Sequence, residues 1–207
     1  MSRVNTQKLA GGQSAPDFLA RALGADFQGD VRSDAFTRGR FSTDASIYQI
    51  MPAAVLFPKT AADIEMALNA ARQGGISVTM RGAGTSQNGQ PLGRGLIVDC
   101  SRHFNCVLNY DKDAGTISVE PGIVLEQLNT LIRKDGWFFP VEPSTASRCT
   151  IGGMAGNNSS GARSLRYGKT SDNVLSIGGF LAAGDPFVFE LASNKTSGAD
   201  GSPGTVP

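Results

Sequence analysis

An α+β fold follows from three features of the 207-residue chain. Residues 60–73 carry an apolar stripe at helical spacing between two short apolar strands, which makes a βαβ unit. Paired strand patterns at 106–120 and 174–191 are separated by turn residues and read as antiparallel pairs. Glycine-rich stretches at 80–90 and 143–161 interrupt these elements, with hydroxyl and amide side chains between the glycines.

In chain order, Ala15–Leu23 reads as a short helix with Ser14 near its cap and Gly24 past its end. Residues 26–49 are irregular and polar, anchored by Phe36, Phe41 and Tyr48. Residues 52–58 form a short buried strand bracketed by prolines. Thr60 caps a helix through about Gln73, with Ile64, Ala67, Leu68 and Ala71 on one face, and Gly74-Gly75 stops it. Residues 76–80 alternate as a strand that runs straight into the first glycine stretch. The loop therefore sits at the carboxyl end of a strand, where open α/β sheets bind ligands.

Leu96–Asp99 is a further strand, and residues 106–110 pair through the turn 111–115 with 116–120. Pro121-Gly122 breaks this hairpin. A helix over 124–134 places Leu125, Leu128 and Ile132 on one face and ends at Gly136. Trp137-Phe138-Phe139 is expected in the core. Residues 174–183 and 187–191 are strands joined around Gly184-Asp185-Pro186, and from Ser193 the chain has nothing to bury and reads as a tail.

Lysine and arginine number 19 against 18 acidic residues, so no strong field favours nucleic acid or an anionic membrane. No apolar run has the length of a membrane span, and Met1-Ser2-Arg3-Val4-Asn5 does not begin like a signal peptide, so a cytoplasmic protein is expected. The three cysteines, Cys100, Cys106 and Cys149, follow no metal or disulfide spacing.

The first glycine stretch is Arg81-Gly82-Ala83-Gly84-Thr85-Ser86-Gln87-Asn88-Gly89-Gln90. Successive backbone N–H groups in such a turn form a concave anion site. It is not a Walker loop, because Gly89 is followed by Gln90-Pro91 rather than Lys-Ser/Thr. It is not the Rossmann fingerprint either, since position 87 is glutamine and turn residues follow. Asp99 ends a strand and reads as a turn residue rather than a ribose ligand. In the second stretch, Thr150 is a good cap for a short helix over 151–158, whose N-terminus would add donors for an anion.

Together these segments resemble the FAD-binding domain of the vanillyl-alcohol-oxidase / p-cresol-methylhydroxylase family of FAD-linked oxidases. The matching residues are Arg81 to Ser86 with Gly89-Gln90, Pro121-Gly122, Pro143-Ser144-Thr145, Ile151-Gly152-Gly153-Met154, Asn157-Asn158-Ser159-Ser160-Gly161, Tyr167-Gly168 and Asp172-Asn173-Val174-Leu175. The likeness spans about residues 52–190 and is nearest to the D-lactate and D-2-hydroxyglutarate dehydrogenases, particularly large bacterial forms with iron–sulfur sites further along.

The resemblance implies a two-lobed α+β FAD-binding domain over 51–191, with a βαβ lobe to about 110 and a mainly antiparallel lobe from 111. An N-terminal extension covers 1–50 and a tail or truncation point 192–207. It implies that Arg81, Gly82, Ala83, Gly84, Thr85, Ser86, Gly89 and Gln90 lie under the FAD pyrophosphate. Gly122, Pro143, Ser144, Thr145, Gly152, Gly153, Asn157, Ser160 and Gly161 would face the rest of the cofactor, and Ile177 the adenine end.

Covalent members place His where Thr85 stands, so FAD is expected to be non-covalent, and Cys149 reads as an ordinary buried thiol. The sole histidine, His103, reads as a surface or capping residue. Catalytic residues are not identified. Such enzymes complete their site with a downstream substrate domain, so substrate, electron acceptor and any iron–sulfur cluster would belong to that region. The expected function is the FAD half of a D-2-hydroxy acid dehydrogenase. Alternatives are a UDP-N-acetylenolpyruvoylglucosamine reductase-like domain and a stand-alone flavin or nucleotide carrier.

Overall fold

The computed structural model describes residues 15–191. Its main sheet has the order β1-β2-β4-β3, from Asp30–Arg32 (β1), Ala54–Phe57 (β2), Val78–Arg81 (β3) and Leu96–Asp99 (β4). β4 is parallel to both β2 and β3, and β1 runs antiparallel to β2 at one edge. β2 and β4 are buried along their whole length, as the unbroken apolar runs Ala-Val-Leu-Phe and Leu-Ile-Val require. Helices α1 (Ala15–Leu23) and α3 (Ala61–Gly74) cover one face, where Leu19, Leu23, Ala67, Ala70 and Ala71 meet Leu56, Leu96 and Val98. On the other face Phe41 packs edge-on against Phe57, with ring centroids 5.5 Å apart, beside Val55 and Ile97.

Two elements lie where the sequence predicts only irregular chain. β1 is three residues long, too short for any periodicity to register. α2 (Ala35–Arg40) holds a glycine in its interior, which costs helix propensity, and Asp34 compensates by capping it through Thr37 N–H at 2.9 Å.

The second half is smaller in sheet. β5 (Val107–Asp111) and β6 (Thr116–Val119) form one hairpin, β7 (Ser176–Phe180) and β8 (Pro186–Glu190) another. Between them lie α4 (Leu125–Ile132), a 3-10 turn over Arg133–Asp135, α5 (Ile151–Asn157), α6 (Ser164–Tyr167) and a 3-10 turn over Thr170–Asn173. The strand expected over 174–183 is shorter, because Leu181 to Asp185 is consumed by the turn closed by Leu181 N–H on Asp185 O.

Trp137-Phe138-Phe139 is not the core unit expected. Trp137 and Phe138 are 44% and 39% exposed. The indole N–H must find an acceptor, and it donates to Lys112 O at 2.9 Å across the β5–β6 turn. Only Phe139 packs inward, against Leu125 and Leu128. Ser14 and the tail beyond Leu191 lie outside the described residues.

Asp63 ties the first layer together. Its fully buried carboxylate accepts from the backbone N–H groups of Gln28 at 2.8 Å, Lys59 at 2.8 Å and Thr60 at 3.0 Å, while Thr60 Oγ1 caps Asp63 N–H. Burial alone would raise its pKa, but these donors outweigh it and hold the carboxyl below its ordinary range. A depressed carboxylate stabilises the fold above its unfolded value and loses that contribution as pH falls through the folded one. Asp63→Asn should therefore cost about 2–3 kcal/mol at neutral pH, since charge-assisted bonds are lost. Thermal melts should show this gap closing as pH drops through and below the ordinary carboxylate range.

Candidate functional site

The first glycine loop leaves β3 at the carboxyl edge of the parallel strands, after Arg81 pairs with Asp99 of β4. Among the described residues, the backbone N–H groups of residues 82–87 donate to no protein acceptor. The loop is held instead through its oxygens and its ends. Ser86 O accepts from Ala45 N–H at 3.1 Å, Ser86 Oγ donates to Gln90 Oε1, and Leu92 N–H donates to Gly89 O at 3.1 Å. Gly84 has φ +70°, a conformation that an L side chain rarely adopts. Six consecutive donors thus lack a protein acceptor on one half-buried turn, with Ala83 and Gln87 exposed.

The second stretch meets the first directly. A Cβ on Gly82 would overlap Thr150 Oγ1, so the Thr150 side chain can lie against this backbone only because position 82 has no side chain. Thr150 caps α5 by accepting from Gly153 N–H at 3.3 Å. Ile151 N–H donates to Ile123 O at 3.0 Å, Gly152 N–H to Pro121 O at 2.8 Å, and Leu125 N–H to Cys149 O at 3.0 Å. Gly122 in turn packs under Phe104, whose oxygen accepts its N–H. Gly82, Gly122, Thr150, Gly152 and Gly153 therefore converge.

This arrangement corrects one expectation. The N-terminus of α5 has no donors to offer an anion, because the N–H groups of Ile151, Gly152 and Gly153 are already satisfied. Gly153 is taken by the Thr150 cap itself, but the acceptors of Ile151 and Gly152 come from the break after β6, distant in sequence, and no local pattern announces them. The run of six consecutive N–H groups without a protein acceptor among the described residues lies in the first loop.

The remaining residues form an outer group. Pro143 O and Thr145 O close tight turns with Ala146, Arg148 and Cys149, leaving Ser144 exposed. Gly161 lies against Glu142 and donates to Ser164 Oγ at 2.8 Å. The 157–161 segment is held by the Thr170–Asn173 turn: Thr170 N–H and Oγ1 both donate to Ser159 O, and Ser171 N–H to Asn158 Oδ1. Asn157 and Ser160 are exposed. Ile177 lies on β7 opposite Phe189 and is 43% exposed.

Several single residues are also clarified. Asp99 is the strand-end turn residue expected, accepting from Ser101 N–H at 2.8 Å and Ser101 Oγ at 2.7 Å. Burial raises its pKa against the opposing pull of Ser101 and Arg81. His103 is half-buried rather than on the surface, and its Nε2 has no protein partner. No group of His, Cys, Asp and Glu among the described residues could hold a metal ion.

A segment the sequence reading passed over lies against the loop. Arg81 sends its guanidinium back to Thr43 O at 2.8 Å, Phe41 O at 3.3 Å and Pro91 O at 3.4 Å. The Tyr48 ring packs against Gly89. The only forewarning was the aromatic anchors at 41 and 48.

The profile described as FAD binding domain matches residues 52–189. The chain belongs to this family. As an FAD binding domain it confirms the resemblance drawn from the glycine stretches. D-2-hydroxyglutarate dehydrogenase of Escherichia coli (strain K12) is 41% identical over 195 residues, 88% of this chain and 19% of that protein. Glycolate oxidase subunit GlcD of Bacillus subtilis (strain 168) is 34% identical over 148 residues, 70% of this chain and 31% of that one. The chain thus spans 17–19% of the length of the D-2-hydroxyglutarate dehydrogenases it matches. Alkyldihydroxyacetonephosphate synthase shares the fold, with a TM-score of 0.74 at 22% identity, over 94% of this chain and 38% of that one.

In this FAD binding domain the thiols are poor partners for a flavin. Burial pushes Cys100 up to about 12 and raises Cys149, leaving them protonated at neutral pH, whereas Cys106 is exposed. A chromogenic disulfide reagent should label one cysteine of the three in the native protein and all three after denaturation. Rapid native labelling of Cys149 would contradict this burial.

Proposed function

We propose that this chain holds FAD without a covalent bond and is the cofactor-binding part of a dehydrogenase that oxidises a D-2-hydroxy acid. The observation that carries it is the run of backbone N–H groups over residues 82–87, free of protein acceptors at the carboxyl edge of the sheet. Such an arc suits a diphosphate, which needs several donors at once and little side-chain bulk. Gly82, Ala83, Gly84, Thr85 and Ser86 take that role, with Gly89 and Gln90 closing the turn.

Gly122, Gly152 and Gly153 supply a bare floor where Gly82 meets Thr150. Pro143, Ser144, Thr145, Asn157, Ser160 and Gly161 form the outer wall, with Ser144, Asn157 and Ser160 exposed, and Ile177 the adenine end. Three charge-assisted N–H bonds are worth roughly 5–9 kcal/mol gross, and association costs a comparable sum. Retention therefore depends on burying the two ring systems. When bound, FAD supplies a two-electron acceptor for oxidation of an alcohol carbon. The chain's part is to orient it and keep water from its phosphates.

The D-2-hydroxyglutarate dehydrogenases among the relatives support the acid class, and the reductase-like alternative is not favoured. The boundary expected near residue 51 does not divide the sheet, because β1 (Asp30–Arg32) pairs with β2, and the change of lobe expected near 110 falls within β5 (Val107–Asp111). Among the described residues no helix is long and apolar enough to cross a membrane. Free thiols at Cys100, Cys106 and Cys149 fit a reducing compartment, which favours the cytoplasm.

The test is the visible spectrum of the purified protein before and after acid precipitation. Yellow colour should pass into the supernatant as free FAD, whereas colour retained in the pellet would exclude a non-covalent site, and a colourless protein that cannot be reconstituted would exclude the flavin. Gly84→Val should abolish flavin retention, because φ +70° is strained for valine and the loop must shift. Equal flavin content in that variant would detach the loop from the cofactor.

A further inference from the structure

The Arg81 side chain lies against Gly84 of the loop whose N–H groups over 82–87 have no protein acceptor among the described residues. Its guanidinium spends donors on three main-chain oxygens, those of Phe41, Thr43 and Pro91. The same group stacks on the Phe41 ring, 5.0 Å from its centroid, and Phe41 is itself locked edge-on to Phe57. Asp99 and Asp44 both attract it, which offsets its charge locally. A Cβ on Gly84 would overlap the Arg81 fork, so the loop rests directly on it.

The chain from 41 to 50 is closed on itself before it reaches the loop. Ile50 N–H donates to Ser42 O at 2.8 Å, Thr43 pairs with Gln49, and Asp44 Oδ1 accepts from Ser46 N–H at 2.8 Å. Arg38 Nε fastens its base to Pro52 O at 2.7 Å. This strap then touches the loop through Ala45 N–H on Ser86 O and through Tyr48 against Gly89. It precedes the family match at 52–189 and is nonetheless built into the loop.

We propose that Arg81 is a positioning residue rather than a phosphate ligand: it clamps the 41–50 strap under the glycine loop and so fixes the outward arc of N–H groups over 82–87. The proposal rests on the FAD reading above. A guanidinium already donating to three carbonyls and stacked on a ring has little left to give a diphosphate. The guanidinium fork matters, not the charge, so lysine cannot replace it.

The experiment compares wild type, Arg81→Lys, Arg81→Met and Arg81→Ala in the full chain, each checked for folding by circular dichroism. FAD affinity should fall about tenfold or more in all three variants, lysine included. The loss in affinity between about 50 and 500 mM salt should be the same in wild type and Arg81→Met, because no cation–phosphate contact has been removed. Methylguanidinium should restore most of the affinity of Arg81→Ala. Without FAD, the Ala45 amide should exchange hydrogen at least about tenfold faster in Arg81→Met, since its bond to Ser86 O is released.

Arg81→Lys with near-native affinity, or a weaker salt response in Arg81→Met with unchanged Ala45 exchange, would make Arg81 a direct ligand and overturn the proposal. Unaltered affinity in every variant would overturn it as well. Failure of wild type to take up FAD would remove the functional reading and the positioning role with it, while Ala45 exchange would still report whether the clamp exists.

Discussion

The contact between Gly82 and Thr150 is the constraint on which the site depends. It joins the end of β3 to the cap of α5, two points far apart in the chain, at a distance no side chain at position 82 would permit. The same Thr150 is 2% exposed and sits in an antiparallel splice with Val124. The parallel sheet and the hairpin-and-helix half are thereby held in one register around the glycine loop. A ligand on that loop meets a surface assembled from both.

The division of donors follows from this splice. Backbone N–H groups buried at a junction must be paired, because leaving one unpaired costs about 1–3 kcal/mol. Those at the start of α5 are inside the junction and are satisfied by Pro121, Ile123 and Thr150. Those over 82–87 lie outside the junction on a partly exposed turn and have no protein acceptor among the described residues. The unpaired donors are thus concentrated on the turn that the junction leaves uncovered.

Much of this was legible in the residues. β2 and β4 were readable as unbroken apolar runs, α3 from its spacing and Thr60 cap, and the β5–β6 hairpin from its turn. Asp99 was correctly read as a turn residue, because its place at a strand end dictated its use. The glycine loop was readable as a turn after β3 because glycine spacing is a local property. The silent α5 terminus was not, since its acceptors lie some thirty residues upstream, as Pro121 O does from Gly152 N–H. The strap over 41–50 was equally hidden: its Asx turn and single bridge have no periodic signature, and its importance comes from Arg81 reaching back about forty residues. Trp137 misled because an indole needs an acceptor, and the nearest lay at the surface.

The β7–β8 hairpin has a consequence for handling the chain. On one face of its register Leu175, Ile177, Phe189 and Leu191 stand 61%, 43%, 63% and 59% exposed, and the Phe187 and Phe189 rings lie 4.4 Å apart. Two strands with so greasy a side are marginal alone in water. The chain should behave as an adhesive colloid, clinging to phenyl-type resins and sedimenting heavier as it is concentrated or salted.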